Sequence, residues 1–155
     1  MKVKRQKIKS QFIKDNFNQL NMITVQSTVK APIAKVWEIW TVPKHIQEWN
    51  NASPEWHTPY AENDLKTGGK FKSTMAARDG SMSFDFEGEY TLVKENEAIE
   101  YIISDGRKVE ISFNETQNGV EIIESFDPET QNPENFQQQG WQAILDNFKN
   151  YVESN

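Results

Sequence analysis

"QQQGWQAILDNFKNYVE" (residues 137–153) closes a chain that is otherwise polar and acidic. Beginning at Phe136, the apolar stripe continues through Gly140, Trp141, Ile144, Leu145, Phe148, Tyr151 and Val152. Their spacing gathers them on one face of an α-helix. That face is wider than a helix resting on a surface needs, so a second layer must cover it. Just upstream, Asn132, Pro133 and Glu134 read as an N-cap, a first helical residue and an acidic first turn, and the helix is expected over 133–152.

The covering layer is written in the residues before it. "ITVQSTV" (23–29) alternates Ile23, Val25 and Val29 with polar residues, the period of a half-buried strand. Pro32 stands at an expected first helical position, and Ile33, Val36, Trp37 and Trp40 share one face of a short helix. A second short helix restarts at Pro43 and carries Ile46 and Trp49. Residues 50–70 are loop-like, with Pro54, Pro59 and Gly68-Gly69, although a strand passes through "EWHTPY" (55–60). Phe71, Ser73, Met75 and Ala77 then alternate with polar residues up to an Asp79-Gly80 hairpin turn. In "SMSFDFEGEYTLV" (81–93), Met82, Phe84, Phe86, Tyr90 and Leu92 are expected on the dry face, with Asp85, Glu87 and Glu89 on the wet one. Ile99, Tyr101 and Ile103, then Val109, Ile111 and Phe113, then "VEIIESF" (120–126) continue the meander through short turns. The expected fold is α+β: a curved antiparallel sheet of six or seven strands wrapped around a long C-terminal helix, with two short helices after strand one.

A chain of 155 residues is long enough for one core, so a single domain is expected over 22–155. It contains no cysteine, which removes disulfides, thiolate nucleophiles and thiolate zinc sites. That fits a reducing compartment, and a cytoplasmic location is expected. The only histidines are His45 and His57, so a metal would rest on scattered carboxylates, and neither metal nor cofactor is expected. The net charge of −6 argues against a nucleic-acid surface. Yet residues 1–20 hold six Lys or Arg and one Asp, leaving −11 on the remainder. This leader (1–21) lacks the continuous apolar core of a signal peptide or membrane span. Its Ile8, Phe12, Ile13, Phe17 and Leu20 leave two readings: a basic amphipathic helix for an anionic membrane or acidic partner, or a non-native upstream extension or disordered arm ahead of a natural start at Met22.

Six phrases in order carry a family resemblance: "APIAKVWEIWTVPKHIQEWN" (31–50), "LKTGGKF" (65–71), "MAARDGSMSFDFEGEYTLV" (75–93), "SDGRKVEISF" (104–113), "IIESFDPE" (122–129) and the closing helix. Over residues 23–153 the chain resembles the family related to the activator of heat-shock protein 90 ATPase. That family lies within the START-like, birch-pollen-allergen-like (SRPBCC) helix-grip superfamily. The resemblance implies a cavity between sheet and last helix, but no particular activity, because such a superfold hosts many. It also raises a chaperone as partner. The short leader weakens that expectation, since the eukaryotic activators carry a further large N-terminal domain.

Five Trp, nine Phe and four Tyr give this chain many rings to place. Trp40, Trp49, Trp56, Phe71, Phe84 and Phe86 are expected to line the implied cavity, together with Met75, Tyr101, Phe113, Trp141 and Leu145. A plain packed core would account for most of them. Several indole N–H groups around one helix favour a space with polar features. The expected guest is a small, largely hydrophobic molecule held by a monomer or weak homodimer, with little or no catalysis. Glu124 completes the candidate set. It faces inward if Phe126 does, and faces water if Ile123 is inside instead. An inward carboxylate needs Arg107, Tyr101 or the Trp141 N–H as partner, or it takes up a proton. The enzyme alternative is a cyclase- or aromatase-like reaction with such a group as acid or base. Asp85, Glu87 and Glu89 read as a solvated face, Gly68-Gly69 lacks the context of a phosphate loop, and no Ser or Thr stands in a triad pattern.

Overall fold

A computed structural model describes residues 21–155. Both readings of the leader fall, Asn21 apart, outside the described residues. Seven strands make one antiparallel sheet: β1 (Ile23–Val29), β2 (Trp56–Asn63), β3 (Lys70–Ala77), β4 (Ser83–Lys94), β5 (Ala98–Ile103), β6 (Lys108–Thr116) and β7 (Gly119–Phe126). Their spatial order is β1-β7-β6-β5-β4-β3-β2. Helices α1 (Ile33–Thr41) and α2 (Pro43–Trp49) link β1 to β2, and α3 (Glu134–Ser154) follows β7. The sheet curls into a half-barrel around α3, the α+β helix-grip arrangement that the periodicities predict.

Alternation is cleanest in β7, where Val120, Ile122, Glu124 and Phe126 are all buried. The same rule buries Ile99, Tyr101 and Ile103 in β5 and Val109, Ile111 and Phe113 in β6. In β4 it fails at both ends. A bulge after Tyr90 leaves Tyr90 opposite Tyr101 but puts Leu92 opposite Glu100 and Val93 opposite Ile99. The extra residue switches faces, so Val93 packs on the core in place of Leu92. At the start of the strand, Met82 and Phe84 remain 62% and 50% exposed, because neither reaches the core.

Gly88, in the middle of β4, is required by packing. A Cβ there would lie 2.5 Å from the Ile102 carbonyl oxygen and 3.0 Å from the Phe71 ring. Phe71 therefore folds across the glycine and meets Tyr101 edge-on at 4.7 Å.

The two short helices close one end of the half-barrel. Pro32 is the N-cap of α1, with extended ψ, and not its first helical residue. Trp40 and Trp49 both pack edge-on against Phe148 of α3, at 4.8 and 4.9 Å. The buried Trp49 indole N–H donates to the Ile39 carbonyl at 2.8 Å, which satisfies its polar edge.

Helix α3 is held on three sides. Leu145, Phe148 and Val152 are buried on its sheet-facing side. Its polar flank lies along β1, an edge strand whose outward peptide groups have no strand partner. Gln138 donates to the Thr24 carbonyl (3.2 Å), Gln142 to the Gln26 carbonyl (3.0 Å), and Lys149 to the Thr28 carbonyl (2.6 Å). The Glu153 carboxylate accepts the Lys30 N–H at 2.8 Å. On the third side Asn147 donates to the Trp49 carbonyl at 2.7 Å.

The expected Asn132 cap does not form; Pro133 is the N-cap and no side chain caps the helix. The loop is instead organised by buried Gln137, whose amide donates to the Glu129 and Asn132 carbonyls and accepts the Glu129 N–H.

This division of labour predicts that Phe148→Ala lowers unfolding free energy by about 3–5 kcal/mol in denaturant titration. Phe136→Ala, at a ring that is 62% exposed, should stay within about 0.5 kcal/mol.

Candidate ligand cavity

Between the inner face of the sheet and the first half of α3 lies a cavity of about 450 Å³. Such a volume is in the range that holds a small organic molecule. From α1, α2 and the loop after them come Trp40, Trp49 and Asn50; β2 to β4 supply Trp56, Phe71, Met75, Phe84 and Phe86. Tyr101, Glu124, Trp141 and Leu145 also line it. Exposed Phe84 and Phe136 belong to the lining and mark where it opens to solvent.

Phe113, expected among them, does not line the cavity. It sits beneath α1, edge-on to Trp37 at 5.4 Å and to Trp40 at 5.6 Å, because α1 covers that stretch of β6. The lining includes residues that the sequence did not single out for the site. Ser73, Tyr90 and Gly140 were legible as inward positions but carried no chemical signal. Asn63 and Gln137 come from a strand end and a helix start, where no period points inward, and Arg107, expected only as a partner for Glu124, comes from a turn.

The space exists because α3 is clamped unevenly. Its second half is packed against Trp40, Trp49 and the sheet, whereas Gly140 looks into open room: a Cβ there would meet nothing within 4 Å. A mid-helix glycine costs about 1 kcal/mol relative to alanine, and no neighbour demands it here. One turn on, Trp141 stacks on Phe126 at 3.9 Å and 12° and forms a flat wall.

Polar groups on this apolar surface are few. Burial pushes the Tyr90 hydroxyl above its ordinary range while Asn63 pulls it down; its proton goes to the Asn63 side-chain oxygen at 2.5 Å. Tyr101 is also raised, first by burial and then by the nearby Glu124 and Tyr90, with Arg107 pulling the other way. Glu124 is only 7% exposed, and its neighbours across the sheet are Val25 and Ile111. The register question is settled: Phe126 and Glu124 both face inward.

None of the three expected partners bonds to this carboxyl among the described residues. Arg107 Nε lies 2.8 Å from Asp105 Oδ2 instead. Burial is the sole cause of perturbation at Glu124 and pushes it up to about 8. Near neutral pH it is a protonated acid, able to donate a hydrogen bond into the cavity. Among the described residues no three His, Asp or Glu gather as a metal site requires. Among them, too, no helix is long and apolar enough to cross a membrane.

A half-barrel gripping a helix, with an apolar cavity and one buried acid between them, places the chain in the START-like class of folds. The chain belongs to the family described as "Activator of Hsp90 ATPase homolog 1-like protein", which it matches over residues 30–153. Among solved structures it is similar to Chr148 from Cytophaga hutchinsonii, with 60% identity and a TM-score of 0.76, covering 86% of this chain and 93% of that one. It is also similar to the AHSA1-like protein from Aeromonas hydrophila, with 42% identity and a TM-score of 0.82 over 86% and 92% of the two chains. Protein NE0264 from Nitrosomonas europaea, 16% identical with a TM-score of 0.74 over 86% and 94%, shares the fold. No curated protein matches the chain. Membership supports a ligand- or partner-binding module at that level of generality.

The raised Glu124 fixes the sign of a pH effect. The folded state holds this proton up to about 8, whereas the unfolded chain releases it near 4.5. Its contribution to stability is therefore complete below the lower value and is lost as pH rises to the upper one. Glu124→Gln should flatten that fall and be more stable than the parent at the alkaline end, as read by thermal melts across the window.

Proposed function

We propose that the protein binds a small, largely apolar molecule in the cavity between sheet and α3, with the Glu124 carboxyl as its principal polar anchor. The observation that carries this reading is the pairing of an open, ring-lined space with a buried carboxyl that has no hydrogen-bond partner among the described residues. A buried polar group normally finds a partner within the fold, and one left facing a cavity is matched to something that enters it. The rings supply non-directional affinity, and the single acid fixes orientation. Trp56, Phe84 and Phe136 ring the mouth, which gives an apolar guest a continuous path inward. Tyr101 and Tyr90 stay protonated, so neither adds a charge to the wall.

The family description names a chaperone ATPase activator. A role of that kind makes no call on the cavity, so blocking the cavity separates the two readings. Acid–base catalysis of cyclase type would use the same Glu124 and requires the same guest to enter first.

Gly140→Leu provides the block. Its side chain enters open space while replacing a poor helix former, so the melting temperature should hold or rise. Binding of the neutral dye N-phenyl-1-naphthylamine, followed by its fluorescence and by tryptophan quenching, should saturate at one dye per chain. In Gly140→Leu it should weaken by about tenfold or more. Unchanged dye binding in a folded Gly140→Leu variant would remove the cavity from the account.

A further inference from the structure

Resting on the cavity-binding reading, we propose that the guest is a hydrophobic organic cation. Its protonated amine meets the Glu124 carboxylate while its apolar body lies among the rings.

The charges facing the cavity are lopsided. Among the described residues three carboxyl groups line it, Glu62, Glu124 and Glu129, against the single cation Arg107, with neither Lys nor His. Arg107 lies 2.8 Å from the Asp105 carboxylate, Glu62 accepts from the Tyr60 hydroxyl, and Glu129 accepts the Gln131 and Asn132 N–H groups, which leaves Glu124 as the lining charge or acid without a hydrogen-bond partner among the described residues. With Glu62 and Glu129 against Arg107, the wall disfavours an anionic guest even while Glu124 holds its proton, by the like-charge repulsion that also gives binding sites their selectivity. Ten of the 26 lining residues are aromatic, and ring faces attract cations most strongly where water is excluded.

Among the described residues the elements around Glu124 bring it one cation, Arg107, which is paired with Asp105. Val25 of β1 and Ile111 of β6 flank it, and β3 brings Phe71, Ser73 and Met75. From β4 and β5 come the neutral Tyr90 and Tyr101, and α3 lines the cavity with uncharged side chains alone. The turn before β6 brings Arg107 and the loop before α3 brings Glu129; β2 adds Glu62 near the mouth. A neutral guest satisfies Glu124 as an acid. A cation supplies the charge that burial denies it and stabilises its ionised form.

The proton balance is fixed by this exchange. Before binding, Glu124 holds a proton near neutral pH; an ammonium guest displaces it to the buffer and leaves a carboxylate–ammonium pair. Affinity should therefore rise with pH towards about 8 and fall again once the amine itself loses its charge.

Three probes with one body test this on the full chain: 2-naphthylmethylamine, 2-naphthylmethanol and 2-naphthoate. Calorimetry near neutral pH, in two buffers of different ionisation enthalpy, should show the amine at least about tenfold tighter than the alcohol. The carboxylate should be weakest, and close to one proton should be released per amine bound. Glu124→Gln should abolish both the amine's advantage and the proton release. An amine no tighter than an alcohol that does bind, or an advantage that survives in Glu124→Gln, would overturn the cation assignment and leave cavity binding intact. Failure of all three probes to bind would overturn both.

Discussion

The position of α3 depends on an unpaired strand edge. β1 lies at one end of the sheet, and its outward carbonyls at Thr24, Gln26 and Thr28 would otherwise rely on water. Gln138, Gln142 and Lys149 donate to them in turn, while Glu153 accepts the Lys30 N–H. An alternating set of strand peptides is thus read by one flank of a helix, two periods brought into step. The contact satisfies the edge and at the same time fixes where the apolar stripe stands above the curved sheet.

From that placement the cavity follows. The second half of α3 is driven down by Leu145, Phe148 and Val152, with Trp40 and Trp49 closing around Phe148. In the first half Trp141 reaches the sheet at Phe126 and Phe86, and Gly140 brings no side chain to fill the space beside it. The floor is set by Phe71 folded across Gly88 and by the Phe126–Trp141 stack, both made rigid by close packing. One of the carboxyls facing this space, Glu124, is buried, and its protonation state is a direct consequence of the apolar strands on either side of it.

Most of this architecture is legible in the sequence, because strands and helices here keep to their periods over long runs. Val120, Ile122, Glu124 and Phe126 show how far that reach extends: alternation ties the four together but cannot choose the face, and only the pairing of β7 with β1 and β6 does so. The misreadings have local causes. A one-residue bulge moves Leu92 out and Val93 in, and nothing in "YTLV" announces it. Phe113 obeys its period and is buried, yet α1 covers it, so burial and cavity lining part company. Gln137, Gln138 and Gln142 look like ordinary surface glutamines; their roles depend on a strand more than a hundred residues away, or on a loop conformation, which no local pattern encodes. Arg107 sits in a hairpin turn, and its approach to the cavity comes from sheet curvature.

The central claim is that around Gly140 the first half of α3 leaves room over the sheet that a guest can enter, while its second half does not. Xenon titration of a methyl-labelled sample, followed by carbon–proton correlation spectra, addresses this without presuming any ligand. The account predicts saturable shifts at Met75, Ile99, Ile144 and Leu145, which line the cavity, and stationary signals at Val36, Val109 and Val152, which are buried away from it. Shifts absent from the first group, or spread evenly over both, would contradict it.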